Sequence, residues 1–335
     1  MSYAGKTVLV TGADGFIGSH LTEALAAAGA KVTALAQYNA FGTNGWLDEA
    51  PDELLPTIDI RRGDIRDTGF VRDLAEDQEI VFHLAALIAI PHSYGAPQSY
   101  IDVNVTGTLN LLEAARRAGV ARFVQTSTSE VYGTALRRPI DEDHPLQGQS
   151  PYSASKIAAD MMAEAYARSF GLPVVTLRPF NTFGPRQSER AVLSATIRQA
   201  LDPDCAEIRL GDLTPTRDFN FVANTVDAFL AIAADGTAEG GRAYNAGTGV
   251  EVSIADMVER VQRVTGTNKP VVQDESRLRP PQSEVRALVA DSTRLTEACG
   301  WRPAVALDEG VARTVDWWRG RIASGKVRRS ADYLT

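Results

Sequence analysis

The run VLVTGADGFIGSHL, Val8 to Leu21, constrains this chain more than any other segment. Thr7 to Thr11 is a short apolar stretch that reads as a strand. Phe16 to Ala28 carries the apolar spacing of a helix and stops at Gly29. Gly12, Gly15 and Gly18 stand at the junction. Glycines at such a junction let the backbone turn tightly and come close to a pyrophosphate. The N-terminus of the following helix, here opened by Phe16 and Ile17, then meets the charge. A strand, a glycine turn and a helix in that order predict a parallel sheet that holds a dinucleotide.

The rest of the first half keeps the same rhythm. Lys31 to Ala36, Ile58 to Arg62, Ile80 to His83, Phe123 to Gln125 and Val174 to Arg178 read as strands. Gln98 to Ala118 and Pro151 to Phe170 read as long helices. Short β runs alternating with longer helices imply βαβ units. Tyr38 to Thr57, with Gly42, Gly45, Pro51 and Pro56, breaks the rhythm as an irregular insertion. Beyond about residue 180 the alternation weakens. The 335 residues exceed one ordinary domain. The expectation is an α/β fold: a Rossmann-type, doubly wound parallel sheet over 1–180, and a smaller C-terminal substrate domain over 181–335. The boundary is interleaved, with late strands returning to the first domain.

At the end of its second strand, a NAD site often has an acidic residue for the adenosine ribose. This chain has Ala36-Gln37-Tyr38-Asn39 instead. No Lys or Arg lies between residues 32 and 60 to receive a 2′-phosphate, so NAD is favoured over NADP. Gln37 or Asn39 is expected on the ribose. Asp64 and Ile65 are expected near the adenine, and Leu84, Ala85 and Ala86 form a small-residue floor.

Tyr152 and Lys156 are four residues apart at the start of a predicted helix and so share a face. An adjacent ammonium lowers a phenol's pKa and suits it to take a proton from a hydroxyl. The Thr126-Ser-Thr-Ser-Glu-Val-Tyr-Gly133 run follows a strand, at the edge where open α/β sheets bind ligands.

With these motifs and Arg178-Pro-Phe-Asn-Thr-Phe-Gly-Pro-Arg186, the chain resembles the extended short-chain dehydrogenase/reductase family of nucleotide-sugar epimerases and dehydratases. The resemblance spans nearly the whole chain. It implies that Thr128 bonds the sugar O4, that Tyr152 is the base there, and that Lys156 holds the nicotinamide ribose. Glu130 stands where sugar 4,6-dehydratases and glucuronate decarboxylases place a carboxylate. There it would take the C5 proton once C4 is a ketone; water leaves from C6, and the hydride returns to C6. Ser129 departs from the Asp of thymidine-type dehydratases and is a poor acid, so Glu130 is expected to do both jobs. A nucleotide-sugar 4-epimerase or UDP-glucuronate decarboxylase is the alternative. Glu130 weighs against the first, and Ser153-Ala-Ser155 against the second.

Two further stretches, Ala89-Ile-Pro-His-Ser-Tyr-Gly-Ala-Pro-Gln-Ser-Tyr100 and Gly211-Asp-Leu-Thr-Pro-Thr-Arg-Asp-Phe-Asn-Phe221, resemble the dehydratases of the legionaminic-acid pathway. Those act on nucleotide-linked N-acetylglucosamine. His92 is expected in the sugar pocket or packing its loop. Asn181, Arg217 and Arg279, with help from Arg186, match the family's nucleotide and diphosphate contacts.

A formal charge of −8 argues against broad nucleic-acid binding. Cys205 and Cys299 are expected to be buried, reduced thiols, and no metal site is predicted. Met1 to Lys6 shows no signal-peptide pattern, and no apolar run reaches the ~18 residues of a membrane span. The cytoplasm is the expected compartment. The two long helices carry apolar residues on more than one face: Val103, Val105, Leu109, Leu111 and Leu112 in one, Ile157, Met161, Met162 and Tyr166 in the other. One stripe is enough for a helix to pack on its own sheet. The surplus predicts a homodimer through a four-helix bundle, and the resemblance implies the same.

Overall fold

The computed structural model describes residues 3–234 and 238–327. Residues 1–2 of the expected first domain and 235–237 and 328–335 of the expected second lie outside the described residues.

The elements follow in chain order: β1 (Thr7–Thr11), α1 (Phe16–Ala27), β2 (Lys31–Gln37), β3 (Ile58–Gly63), α2 (Thr68–Ala75), β4 (Ile80–His83), α3 (Ile90–Gly95), α4 (Pro97–Tyr100), α5 (Gly107–Ala118), β5 (Arg122–Thr126), α6 (Pro151–Phe170) and β6 (Val174–Pro179). Then come β7 (Thr182–Phe183), α7 (Val192–Leu201), β8 (Ile208–Leu210), β9 (Thr216–Arg217), β10 (Asn220–Phe221), α8 (Val222–Ala234) and β11 (Ala243–Ala246). The chain continues through β12 (Val252–Ser253), α9 (Ile254–Thr265), β13 (Val271–Gln273), β14 (Ala287–Leu288), α10 (Thr293–Cys299) and α11 (Leu307–Ala323).

Seven strands form one sheet in the order β11-β6-β5-β4-β1-β2-β3, and every neighbouring pair is parallel. Strand residues are apolar toward both faces, as a sheet covered on both sides requires. Val8 and Val10 of β1 point into one core with Leu21 and Leu25 of α1 and Phe229 and Ile232 of α8. Leu9 points into the other, with Leu74 of α2, Leu111 and Leu112 of α5, and Ala163 of α6. The strand order reverses between β1 and β4. The crevice there, at the carboxyl ends of the strands, is where such sheets bind ligands. The chain returns to this sheet late: β11 pairs with β6 through Ala243–Ala246. β7–β10 and β12–β14 form small two- and three-stranded sheets, from which Thr182, Phe183, Leu210 and Arg217 line the cleft.

Two helices of the first half differ from expectation. α2 is an additional helix, capped by the Asp67 carboxylate, which accepts from the Phe70 N–H at 3.1 Å. The single helix expected over Gln98 to Ala118 starts earlier and breaks up, with a wide turn over Ile101–Thr106 between α4 and α5. That turn delivers Asn104 to the loop after β4. Its side chain accepts from Leu87 N–H at 2.8 Å and donates to Leu87 O and Ser155 Oγ, each at 2.9 Å. Tyr38 to Thr57 is irregular apart from two short 3₁₀ turns. The two cysteines are free but half-buried, not fully buried as expected.

The glycine turn is set by contact distance. A Cβ at Gly18 would lie 2.0 Å from the Gly12 carbonyl oxygen. At Gly12, where φ is 69°, a Cβ would lie 2.7 Å from the Ala85 nitrogen. Gly18→Ala therefore forces backbone apart and should cost at least about 2 kcal/mol in denaturant unfolding. Gly119→Ala is the comparison: φ is 69° there too, but nothing lies within 4 Å. It should cost only the left-handed penalty of about 1 kcal/mol. Equal losses at the two positions would contradict this account of the turn.

Candidate active site

Two cavities meet in the cleft. One, about 810 Å³, is lined by Gly12, Gly15, Phe16, Ile17 and Gly18 of the turn, by Gln37, Asp64, Ile65, Leu84, Ala85 and Ala86 at the strand ends, and by Thr128, Ser129, Glu130 and Tyr152. The other, about 560 Å³, is lined by His92, Asn181, Arg217 and Arg279, and again by Glu130. Glu130 is thus part of the wall between them.

The first cavity suits a dinucleotide. No side chain caps α1 at Gly15, and its first turn has no acidic residue. The first N–H groups of that helix can therefore meet a pyrophosphate. Leu84 to Ala86 form the wall opposite, held by the Thr11 hydroxyl, which accepts from Leu84 and Ala85 N–H at 3.2 Å each. At the adenosine end the expected residues divide. Gln37 lines the cavity. Asn39 does not serve there, because its side chain closes its own loop. It donates to Gln37 O at 3.2 Å and Thr43 O at 2.9 Å, and accepts from Phe41 N–H at 3.1 Å. Asp64 lines the cavity but is paired with Arg66 at 2.5 Å, which holds its carboxyl below the usual range. Asp14 and Trp46 also line the cavity and belong to no expectation. Burial raises the Asp14 carboxyl, against the pull of the Gln37 N–H.

The reactive groups converge from three elements. β5 ends at Thr126, and a 3₁₀ turn over Ser129–Tyr132 follows, capped by Thr128, whose hydroxyl accepts from Glu130 N–H at 3.2 Å. α6 opens with Pro151 after a Ser150/Ser153 capping box, which sets Tyr152 on the first turn facing Thr128. Tyr152 is buried and lies edge-on to Tyr100 with ring centres 6.3 Å apart. Burial raises its phenol, opposed by the nearby Thr128 hydroxyl. That direction is opposite to the lowering expected from a neighbouring ammonium. Lys156 donates instead to Thr126 O at 2.6 Å and is pushed down to about 8 by burial, opposed by the Asp160 carboxylate.

Asp160 extends the same face of α6 by one turn. It accepts from Ser127 Oγ at 2.7 Å and from Nε and Nη2 of Arg178 at 3.1 Å each. Arg178 also donates to Tyr132 Oη at 2.9 Å, and Tyr132 donates to Asn245 of β11 at 2.7 Å. All five residues are buried.

In the second cavity the cations are organised by one carboxylate. Arg217 donates to Glu284 at 3.1 Å, and Arg279 lies 3.7 Å from it. Arg279 Nη1 and Asn181 Oδ1 are buried without a partner. Such groups are costly unless something meets them, and a diphosphate with its attached nucleoside offers acceptors to the first and donors to the second. His92 is exposed on the rim, 6.1 Å from the Tyr100 ring. Tyr94 spans the cleft to Ser283, with the two hydroxyls 2.6 Å apart. Arg186 was expected beside the diphosphate of the substrate. It lines the cofactor cavity instead, with its guanidinium donating to Glu23 at 2.7 Å and Ser19 at 3.1 Å. Among the described residues no group of three or more His, Cys, Asp or Glu is placed to hold a metal ion, and no helix is long and apolar enough to cross a membrane.

Comparisons with known proteins agree with this geometry. The family model described as GDP-mannose 4,6 dehydratase matches residues 9–314. A UDP-glucose 4-epimerase of Mycolicibacterium smegmatis is 38% identical, covering 93% of this chain and 98% of that protein. A dTDP-glucose 4,6-dehydratase of Streptomyces griseus is 36% identical, covering 93% of each. Among solved structures, the dTDP-glucose 4,6-dehydratase of Streptomyces venezuelae with NAD and TYD bound superposes with a TM-score of 0.85 at 29% identity, covering 95% of this chain and 98% of that one. With its glycine turn, seven-stranded parallel sheet and Tyr152/Lys156 pair, the chain belongs to the GDP-mannose 4,6-dehydratase family of extended short-chain dehydrogenases/reductases.

Proposed function

We propose that this chain is a NAD-dependent nucleotide-sugar 4,6-dehydratase acting on an NDP-N-acetylglucosamine or NDP-hexose in the cytoplasm. The observation that carries the reading is the place of Glu130, in the wall between the two cavities and two residues beyond Thr128. A carboxylate there reaches a sugar carbon next to the one that Tyr152 and Thr128 address. The glycine turn, Leu84 to Ala86, Gln37 and Ile65 would hold the cofactor. NAD, held there, would supply the hydride acceptor for C4 and the hydride donor for C6. Tyr152 takes the proton from the O4 hydroxyl while Thr128 bonds the same oxygen. Lys156, whose ammonium the Asp160 carboxylate favours against its burial, stands one turn beyond Tyr152 on the same helix. Glu130 takes the C5 proton and returns one to the departing C6 hydroxyl, because Ser129 is too weak an acid for that step; the proton taken from O4 balances the one that C5 regains as the hydride returns to C6. Arg217, Arg279 and Asn181 hold the nucleoside diphosphate, with the guanidinium forks suited to its phosphates.

The second reading is a 4-epimerase, favoured by the 38% identity to the UDP-glucose 4-epimerase. An epimerase has no need of a carboxylate at C5. Incubation with UDP-, dTDP- and GDP-hexoses, followed by mass spectrometry, separates the two. Loss of one water marks dehydration; unchanged mass with an inverted C4 marks epimerisation and would overturn the first reading.

Glu130→Gln should leave C4 oxidation in place, visible as cofactor reduction, while dehydration falls by about a hundred- to ten-thousand-fold. Dehydration near the wild-type rate would remove Glu130 from the mechanism. Tyr152→Phe should block the earlier step as well, so that no reduced cofactor accumulates, with the melting temperature little changed. Normal turnover by that variant would require another base.

The proposed assembly is a homodimer through α5 and α6 and their counterparts. Leu111, Leu112 and Tyr166 are spent on the chain's own core, but Ile101, Leu109, Met161 and Phe170 are 46%, 37%, 44% and 58% exposed. An apolar patch of this kind is covered when the same helix pair of a second copy packs on it. Sedimentation at micromolar concentration should give twice the 36.1 kDa of one chain, or a multiple of that; Met161→Glu with Phe170→Glu should return it to the monomer. A wild-type mass of one chain would refute the dimer.

A further inference from the structure

β2 ends at Gln37 without an acidic side chain, yet a carboxylate stands at that strand end. It comes from the glycine turn: Asp14 Oδ2 accepts the backbone N–H of Gln37 at 3.2 Å. Asp14 lines the larger cavity beside Gln37, Trp46 and Gly63. Its backbone is fixed from the other side by the 38–57 insertion. Trp46 N–H donates to Asp14 O at 3.0 Å, and Gly45 packs so close that a Cβ there would lie 2.5 Å from that oxygen.

The guanidiniums of β3 and of the loop after it are turned to other partners. Arg62 donates to Asn44 Oδ1 at 2.8 Å and Gly42 O at 3.0 Å. Arg66 is paired with Asp64. Asp14 makes no salt bridge among the described residues, and its side chain is acceptor-only when ionised. An unpaired, partly buried carboxylate favours hydroxyl donors. It disfavours a phosphate, which brings a charge of about −1.5 to −2 and no donor. The vicinal diol of an adenosine ribose supplies the donors; the 2′-phosphate of NADP replaces one of them with charge.

We infer that Asp14 is the residue that selects NAD over NADP, doing from the glycine turn what an acidic residue at the end of β2 does in other dinucleotide sites. This rests on a dinucleotide in the larger cavity, and it is independent of which sugar reaction follows.

The test is a competition. Purified protein is equilibrated with equal concentrations of NAD and NADP, freed of unbound nucleotide by gel filtration, and denatured, and the two nucleotides are quantified by mass spectrometry. Asp14→Asn keeps an acceptor for Gln37 N–H and removes the charge; Asp14→Ser shortens the group. The wild type should retain NAD over NADP by about tenfold or more, and both variants should lower that ratio by about tenfold or more through a gain in NADP, the scale of one hydrogen bond to a charged group. Asn39→Ala, whose side chain serves only its loop, should leave the ratio unchanged. Melting curves within a few degrees of wild type confirm that the variants are folded. An unchanged ratio in both folded Asp14 variants overturns the assignment, as does a wild type that retains NADP. Because the readout is bound nucleotide, it stands whether the sugar product is dehydrated or epimerised.

Discussion

The reactive loop rests on a buried ion pair. Asp160 on α6 and Arg178 on β6 meet with almost no exposure, and Ser127, just past β5, donates to the same carboxylate oxygen. The two chains of contact that leave this pair reach everything that matters nearby. One runs up α6 to Lys156 and Tyr152. The other runs through Tyr132 to Asn245, tying the 3₁₀ turn that carries Glu130 to the last strand of the sheet. Removing one partner of a buried pair leaves an uncompensated charge and typically costs about 3–5 kcal/mol. Here the loss would also release the loop on which Thr128 and Glu130 are presented. The pair is thus less a source of stability than a means of fixing one arrangement of three elements.

Such a pair is hard to read from sequence. Asp160 is simply one more polar residue in a helix, eighteen positions from its partner. The elements were easier, because their signals are local. β1 and β4 occupy the residues their apolar runs indicate, and Pro151–Phe170 is helical as read, opened by a proline and closed by Gly171 in the left-handed conformation. α2 could have been read too, from Asp67 followed by Val71, Leu74 and Ala75. The break at Ile101–Thr106 could not. Its reason is Asn104, whose partners Leu87 and Ser155 are distant in the chain.

The site divides in the same way. Motif residues whose backbone does the work, such as Gly12, Gly15 and Gly18, are located by spacing alone. Residues that work through long side chains are not. Arg186 turns toward Glu23, and Asn39 toward its own loop, because each finds a nearer partner than the ligand expected for it. Asp14 sat inside the most informative motif and drew no attention, since the rule for ribose binding points to the next strand. Glu284, which organises Arg217 and Arg279, carries no motif of its own.

The shared wall between the cavities has a consequence for how such a protein can change over evolutionary time. Ile88, Glu130, Asn181 and Arg279 line both spaces. A substitution at any of them reshapes two spaces at once. The far end of the smaller cavity, around Leu210, Pro215 and Leu278, touches only one. Change is therefore least coupled at that far end and most coupled around Glu130, where one side chain shapes both spaces.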